Sequence, residues 1–426
     1  MSQKFGMILK SALAAGMAAT AISPALSATS HAPKRVKPEQ VVYDFCEPLV
    51  NCGDGGGPTS GPIMDSSGNL YGTTALGGAN GGGTVYKLAP DGTETTLYSF
   101  CARLPCANGD QPLASLTMDS AGNLYGTTWM GGIQNCGNEY ASCGTVFKVA
   151  PDGTETALYS FCPGATCTDG AIPYGNVILD SSGNLYGTTQ RGGANGEGTV
   201  FEIAADGTES VLYSFCSQAN CGDGEQPQSG LYMDGSGNLF GTTPMGGAYN
   251  QGTVFEVAPN GTETVSYSFG ATEGDAGGPI GGLIADAAGN LYGAAGGGAH
   301  GYGAVFMLSP TGTETLLYSF AAGNDGREPN APLLLDSSGN LYGTTVLGGS
   351  TGCKGLGCGT VFKLTPGGTE TVLYAFKNYK YGLGPNGGLA ADSQGNLYGT
   401  TNYGGLNKKN IGGVVFKINS AIAPKP

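Results

Sequence analysis

Seven near-copies of the string Gly-Asn-Leu-Tyr-Gly run through this 426-residue chain, with asparagines at Asn69, Asn123, Asn184, Asn238, Asn290, Asn340 and Asn396. The gaps between them are 54, 61, 54, 52, 50 and 56 residues. A period of this size means one supersecondary unit built repeatedly, each copy needing its neighbours to bury a face. Around every copy the same order recurs. In the first it is Gly61–Asp65, Asn69–Thr74, Gly83–Leu88 and Thr93–Phe100, which reads as four short strands, A to D, separated by turns. Asp-x-x-Gly-Asn makes the A–B turn, led by Asp65 and its six equivalents. Asp-Gly or Asn-Gly makes the C–D turn at Asp91, Asp152, Asp206 and Asn260. Tight turns at both places make each repeat an antiparallel meander. The 79 glycines fit such turns; they lack collagen's three-residue period, and 40% hydrophobic residues argue against disorder.

Radial stacking buries both faces of a four-stranded meander, and that is a propeller. A linear solenoid is the alternative, but it would want capping ends. The termini favour a ring. The chain enters at Val41–Phe45 with a D-like strand and leaves after Val414–Ile418 with a C-like one, so the last repeat lacks the strand that the N-terminus has spare. Pairing them removes both open edges. The expected fold is therefore all-β: a seven-bladed β-propeller, four antiparallel strands per blade, closed by the N-terminal strand completing the last blade.

The first 28 residues read as a secretory signal peptide: Lys4 and Lys10, an alanine-rich apolar stretch to Ala21, then Pro24 and small residues to Ala28. A membrane anchor is the alternative, disfavoured by the short apolar run. Residues 29–40 read as a linker, 41–420 as the propeller and 421–426 as a tail. Loss of the leader takes the formal net charge from −14 to −16, which repels nucleic acid and anionic membranes. No membrane span is expected in the mature chain, and a monomer is expected.

The repeat resembles the GloVer tandem-repeat family, the choice-of-anchor proteins of bacteria. The matching residues are 68–74 (Gly-Asn-Leu-Tyr-Gly-Thr-Thr), Gly77-Gly78, Gly83-Thr84-Val85 and Leu97-Tyr98-Ser99-Phe100, with their equivalents over nearly all of 41–418. The resemblance implies a bacterial, exported protein and no particular activity. Members often carry C-terminal surface anchors. This sequence ends at Ala421–Pro426 with neither an apolar tail nor a basic end, so a secreted or periplasmic protein is expected.

Alternating strand direction puts the short A–B and C–D turns on one face of the disc and the long, varied B–C and D–A loops on the other, where binding is expected. All twelve cysteines fall on that second face as near neighbours: Cys46/Cys52, Cys101/Cys106, Cys136/Cys143, Cys162/Cys167, Cys216/Cys221 and Cys353/Cys358. Even count, local spacing and export point to six disulfides. Zinc is the rival, but the mature chain offers only His31 and His300 as further ligands of the usual kind, so no metal and no cofactor are expected.

Asp-Gly-x-x-Pro recurs on the D–A loops at Asp54, Asp169, Asp223, Asp275 and Asp325, with Asn108 and Tyr381 in the other two blades. Calcium binding or a structural turn would each explain it, and repetition favours the turn. Catalytic motifs are absent from the sequence. His300 on the fifth B–C loop is a lone acid/base candidate, with an exposed loop histidine the plainer reading. The two positions after Thr-Thr vary strongly between blades: Trp129, Arg191 and Tyr403 stand out. Lys377, Tyr379, Lys380, Tyr381, Lys408 and Lys409 add a basic, aromatic cluster in the seventh blade, with Lys354 in the sixth. Rings and cations together suit an anionic carbohydrate, against the plainer reading of solvated loop lysines. The expected function is a non-catalytic binding or structural propeller recognising extracellular glycan. The alternatives are adhesion to a cell-surface protein and a polysaccharide lyase or glycosidase. A lyase would use His300 or Tyr403 as base with Arg191 or Lys408 neutralising a carboxylate; a glycosidase would need two carboxylates at the channel mouth.

Overall fold

The computed structural model describes residues 39–46, 52–102, 106–136, 140–164, 166–405 and 412–419, side chains of 39 and 134–142 excepted. The signal-peptide segment, most of the linker, the tail, Lys408 and Lys409 lie outside the described residues.

Seven four-stranded antiparallel sheets are present. Blade one comprises strand A (Ile63–Met64), B (Leu70–Thr74), C (Thr84–Leu88) and D (Glu94–Ser99). Blades two to six repeat this order, from Thr117–Met118 through Glu370–Ala375. Blade seven takes A (Ala390–Ala391), B (Leu397–Thr401) and C (Val414–Ile418) from the C-terminal end, and D (Glu39–Asp44) from the N-terminal end. Val41 pairs with Phe416 and Asp44 with Val414, which closes the ring as the termini imply.

Two details depart from the expected strands. Strand A is two residues long rather than five, because the chain before it runs against its neighbour too closely for a ladder. A Cβ on Gly61 would sit 2.2 Å from the Gly388 carbonyl oxygen of blade seven. Strand D carries a bulge in every blade: Val85 pairs with Tyr98 but Tyr86 with Thr96, leaving Leu97 unpaired. The extra residue sharpens the twist of the outer strand.

Seven hydrophobic clusters lie between blades rather than within them. Between blades one and two, Val85 and Phe100 meet Leu116, Leu124, Phe147 and Val149. Phe100, ending the Tyr-Ser-Phe of one blade, packs edge-on against Phe147 of the next at 4.9 Å between centroids, a geometry aromatic quadrupoles favour. The Phe147 ring lies over Gly126, where an added Cβ would approach Cζ to 2.6 Å. That explains the second glycine of the repeated string.

A threonine of strand B reaches into the next blade. The Thr73 hydroxyl donates to the Ala114 carbonyl (3.1 Å), Thr127 to Gly175 (3.0 Å) and Thr188 to Ser229 (2.9 Å). Thr242, Thr344 and Thr400 repeat the bond, and blade five holds Ala294 there instead. At the A–B turn, Asp65 accepts from the backbone of Ser67 and Asn69, the Asn69 amide and the Tyr71 hydroxyl. Burial pushes its carboxyl up, and these bonds outweigh burial and hold it below its ordinary value.

Candidate functional site

The two faces of the disc differ in chemistry. The large hydrophobic side chains exposed among the described residues are Leu76, Ile133, Met245, Tyr249, Tyr302, Leu356, Tyr379 and Tyr403. Every one is on a B–C or D–A loop. The opposite face carries short turns with fully exposed carboxylates such as Asp91, Asp152 and Asp206.

The D–A loop is rigid for a visible reason. Asp169 accepts from the Tyr159 hydroxyl at 2.8 Å and from the Cys162 backbone N–H at 2.8 Å. Asp54, Asp223, Asp275 and Asp325 do the same, and Asn108 bonds Tyr98 in blade two. The residue three after each aspartate donates its N–H to the preceding blade's B–C loop, and Ile172, for one, donates to Cys143 and accepts from Gln190 of its own blade. These bonds give the repeated aspartates a structural role in the turn. Disulfides join Cys46–Cys52, Cys101–Cys106, Cys162–Cys167, Cys216–Cys221 and Cys353–Cys358. Cys143 is also disulfide-bonded, and the Cys136 side chain lies outside the described residues. Cys143, Cys162 and Cys167 converge, but as disulfides they offer zinc no thiolate.

The variable positions are held against these loops. Leu76 bridges to Gly56, Met130 to Asp110, Arg191 to Ala171 and Tyr403 to Leu383. Trp129 is half-buried, its backbone N–H donating to the Gln111 carbonyl at 3.0 Å. Arg191 is paired with Glu197 at 2.9 Å, and the Gln226 amide donates to the same carboxylate oxygen. His300 is exposed on the blade-five loop, two blades from Arg191. In blade seven the structure does assemble a cluster. Tyr379–Tyr381 form a 3-10 turn, its Tyr379 carbonyl accepting from Gly405 N–H at 2.7 Å, beside Tyr403. Lys380 Nζ lies 5.4 Å from the Tyr381 ring centroid. Tyr379 and Tyr403 are 43% and 51% exposed.

Two features escape the reading of the repeat. At the loop-face end of the central channel, all seven blades line a cavity of about 240 Å³. The residue after the repeated proline enters it: Tyr174, Gln228, Asn330, Asn386 and Thr59 are polar, Leu113 and Ile280 apolar. No carboxylate lines it, so the paired acids of a glycosidase are not there. Its only signal in the sequence is that this position differs between blades while the proline before it does not. A larger groove of about 500 Å³ lies on the opposite, turn face between blades four and five, beside Phe240.

The second feature is electrostatic. The glutamate opening strand D lies beside the preceding blade's Tyr–Asp pair. Burial, then the Asp169 charge, raises Glu209 to about 7. Glu263 is raised likewise, by burial and then Asp223; Glu314 by burial and then Asp275; and Glu370 by burial and then Asp325. Buried Oε1 atoms of Glu155, Glu209, Glu263, Glu314 and Glu370 have no hydrogen-bond partner.

Among the described residues no helix is long and apolar enough to cross a membrane. No curated protein matches the chain in sequence. A solved structure of a streptogramin B lyase is similar over 86% of this chain and 94% of that one, at 15% identity and a TM-score of 0.55. A gluconolactonase from Xanthomonas campestris matches over 89% of each chain, at 12% identity and a TM-score of 0.41. The lyase likeness speaks to the fold alone. The family model described as the Gloeobacter/Verrucomicrobia repeat matches residues 35–162, 137–353 and 236–423. Matched across its length by these three overlapping regions, the chain belongs to the Gloeobacter/Verrucomicrobia repeat family.

Proposed function

We propose that the protein is an exported, non-catalytic binding propeller that holds extracellular glycan on its loop face. The observation that carries this is the segregation of exposed apolar side chains to that face, since exposed apolar surface concentrated on one side of a protein marks an interaction surface. Four of those eight side chains are tyrosines, whose rings stack on sugar C–H faces while the hydroxyl stays wet. Lys380 beside Tyr381 supplies a cation for acidic units. Export agrees with the disulfides. Catalysis has little support: Arg191 is neutralised by Glu197 and stands two blades from His300.

The test is migration of residues 29–426 through native gels cast with neutral or anionic polysaccharides, each gel then stained for polymer loss. Retardation without clearing, lost on Tyr379→Ala and Tyr403→Ala, is the expected result. Clearing would make the protein an enzyme. Unretarded migration in every gel, with capture by a cell-surface protein instead, would replace glycan by an adhesion partner.

A further inference from the structure

We infer that the cavity at the loop-face mouth of the central channel is a binding site for one uncharged, hydroxyl-rich sugar unit. The inference deepens the proposed function and rests on the loop face being the binding face.

The scaffold does not need the side chains that form the site. The proline before each is retained in all seven blades, at 58, 112, 173, 227, 279, 329 and 385. The residue after it is different in nearly every blade, although the backbone path is the same. Side chains that vary on a fixed backbone are free to be chosen for something other than folding.

Hydrogen-bond accounting separates these side chains from their neighbours. Deeper in the channel the small polar groups are used internally: Ser60 with Thr73, Ser229 with Thr242, and Ser115 with the Gly61 carbonyl. The carboxamides of Gln228, Asn330 and Asn386 and the hydroxyl of Tyr174 line the cavity. Among the described residues none of these four side chains has a hydrogen-bond partner. Each carboxamide offers a donor and an acceptor side by side, which is the pattern adjacent sugar hydroxyls require. Burial raises the Tyr174 phenol, so it stays protonated and can donate. Leu113 and Ile280 complete the wall with apolar surface for a ring's C–H face.

The same inventory excludes other ligands. No charged side chain lines the cavity, so an anionic sugar would be desolvated without compensation. The volume of about 240 Å³ is below the ~300–1,000 Å³ of drug-sized pockets. It suits a single ring or the end unit of a chain whose remainder crosses the loop face.

The experiment is saturation-transfer NMR with calorimetry on residues 29–426. The probes are glucose, galactose, mannose, N-acetylglucosamine, glucuronate and a blocked alanine dipeptide. At least one neutral sugar should bind, with glucuronate at least about tenfold weaker. Gln228→Leu and Asn386→Leu should each weaken that sugar about tenfold or more. Tyr174→Phe, which removes only a hydroxyl and guards against misfolding as the cause, should weaken it severalfold. Asp206→Asn on the turn face should leave it unchanged. Absence of binding by every neutral sugar would overturn the inference. So would glucuronate or dipeptide binding better, or folded channel variants binding like the parent. If channel binding fails while polysaccharide still retards the protein in a manner dependent on Tyr379 and Tyr403, only the channel inference falls.

Discussion

The hydroxyl of Tyr213, on the outer strand of blade four's neighbour, donates to the carboxylate of Asp223 at 2.6 Å. Asp223 is fully buried and also accepts from the Ser217 N–H, the Ser217 hydroxyl and the Gln218 N–H. A carboxylate with that many donors is a structural post. Asp223→Ala should cost ~3 kcal/mol or more, because charge-assisted bonds contribute ~1.5–3 kcal/mol each and the donors would be orphaned. Asp223→Asn should cost less, since the amide keeps one acceptor oxygen for these donors. Urea unfolding measures both. A Tm that rises with added calcium and falls with chelator would instead revive a cation at these loops.

Stability should peak at mildly acidic pH. The A–B turn aspartates, such as Asp65, are held below their ordinary 3.8. Their contribution is present above that value and lost as pH falls through the folded one. The strand-D glutamates run the other way. Glu209, Glu263, Glu314 and Glu370 are raised from 4.5 to about 7, so their contribution is present below 4.5 and lost as pH rises through about 7. Tm should therefore fall between pH 5 and pH 8, and combined Glu209→Gln and Glu263→Gln should flatten that limb. A flat Tm across this window in the parent would contradict it.

Thr243 and Thr253 share a hydroxyl–hydroxyl bond of 2.8 Å, and blade five replaces the pair together with Ala295 and Ala304, both buried. Without Thr243 the Thr253 hydroxyl loses this partner, whereas without Thr253 the Thr243 hydroxyl still donates to the Met245 carbonyl at 2.9 Å, and the double variant loses the shared bond only once. Thr243→Ala and Thr253→Ala should each cost ~1–3 kcal/mol, and the double variant clearly less than the sum. A double-mutant cycle with no coupling would refute the bond's role.

Ring closure makes its own prediction. Beginning the chain at Phe45 removes the strand that pairs with Val414–Ile418 and exposes its edge. Tm should drop steeply and the protein should associate. A synthetic peptide of residues 39–46 should restore much of the loss.

The fold was legible because each repeat states its own turns. Asp65 and Gly68 mark one end of a hairpin, and Val41–Phe45 reveals the missing strand. Disulfide partners followed from the local spacing of the cysteines, as in Cys162 and Cys167. Site residues were read unevenly. Tyr379 and Tyr403 were visible as departures from the repeat, but Arg191 gave no sign of its partner Glu197, six residues on. Gln228 and Asn386 were hidden because a position that differs in nearly every copy reads as tolerance, and only the closed ring brings such positions together. Glu209 reads as a solvated strand residue. Its burial comes from the neighbouring blade, which no single repeat contains.

The most direct test of loop-face binding is hydroxyl-radical footprinting of residues 29–426, with and without a polysaccharide that retards the protein. Protection of Leu76, Met245, Tyr249, Tyr302, Tyr379 and Tyr403 is expected, with residues of the turn-face groove such as Phe240 unchanged. Protection of the turn face, or equal protection of both faces, would contradict it.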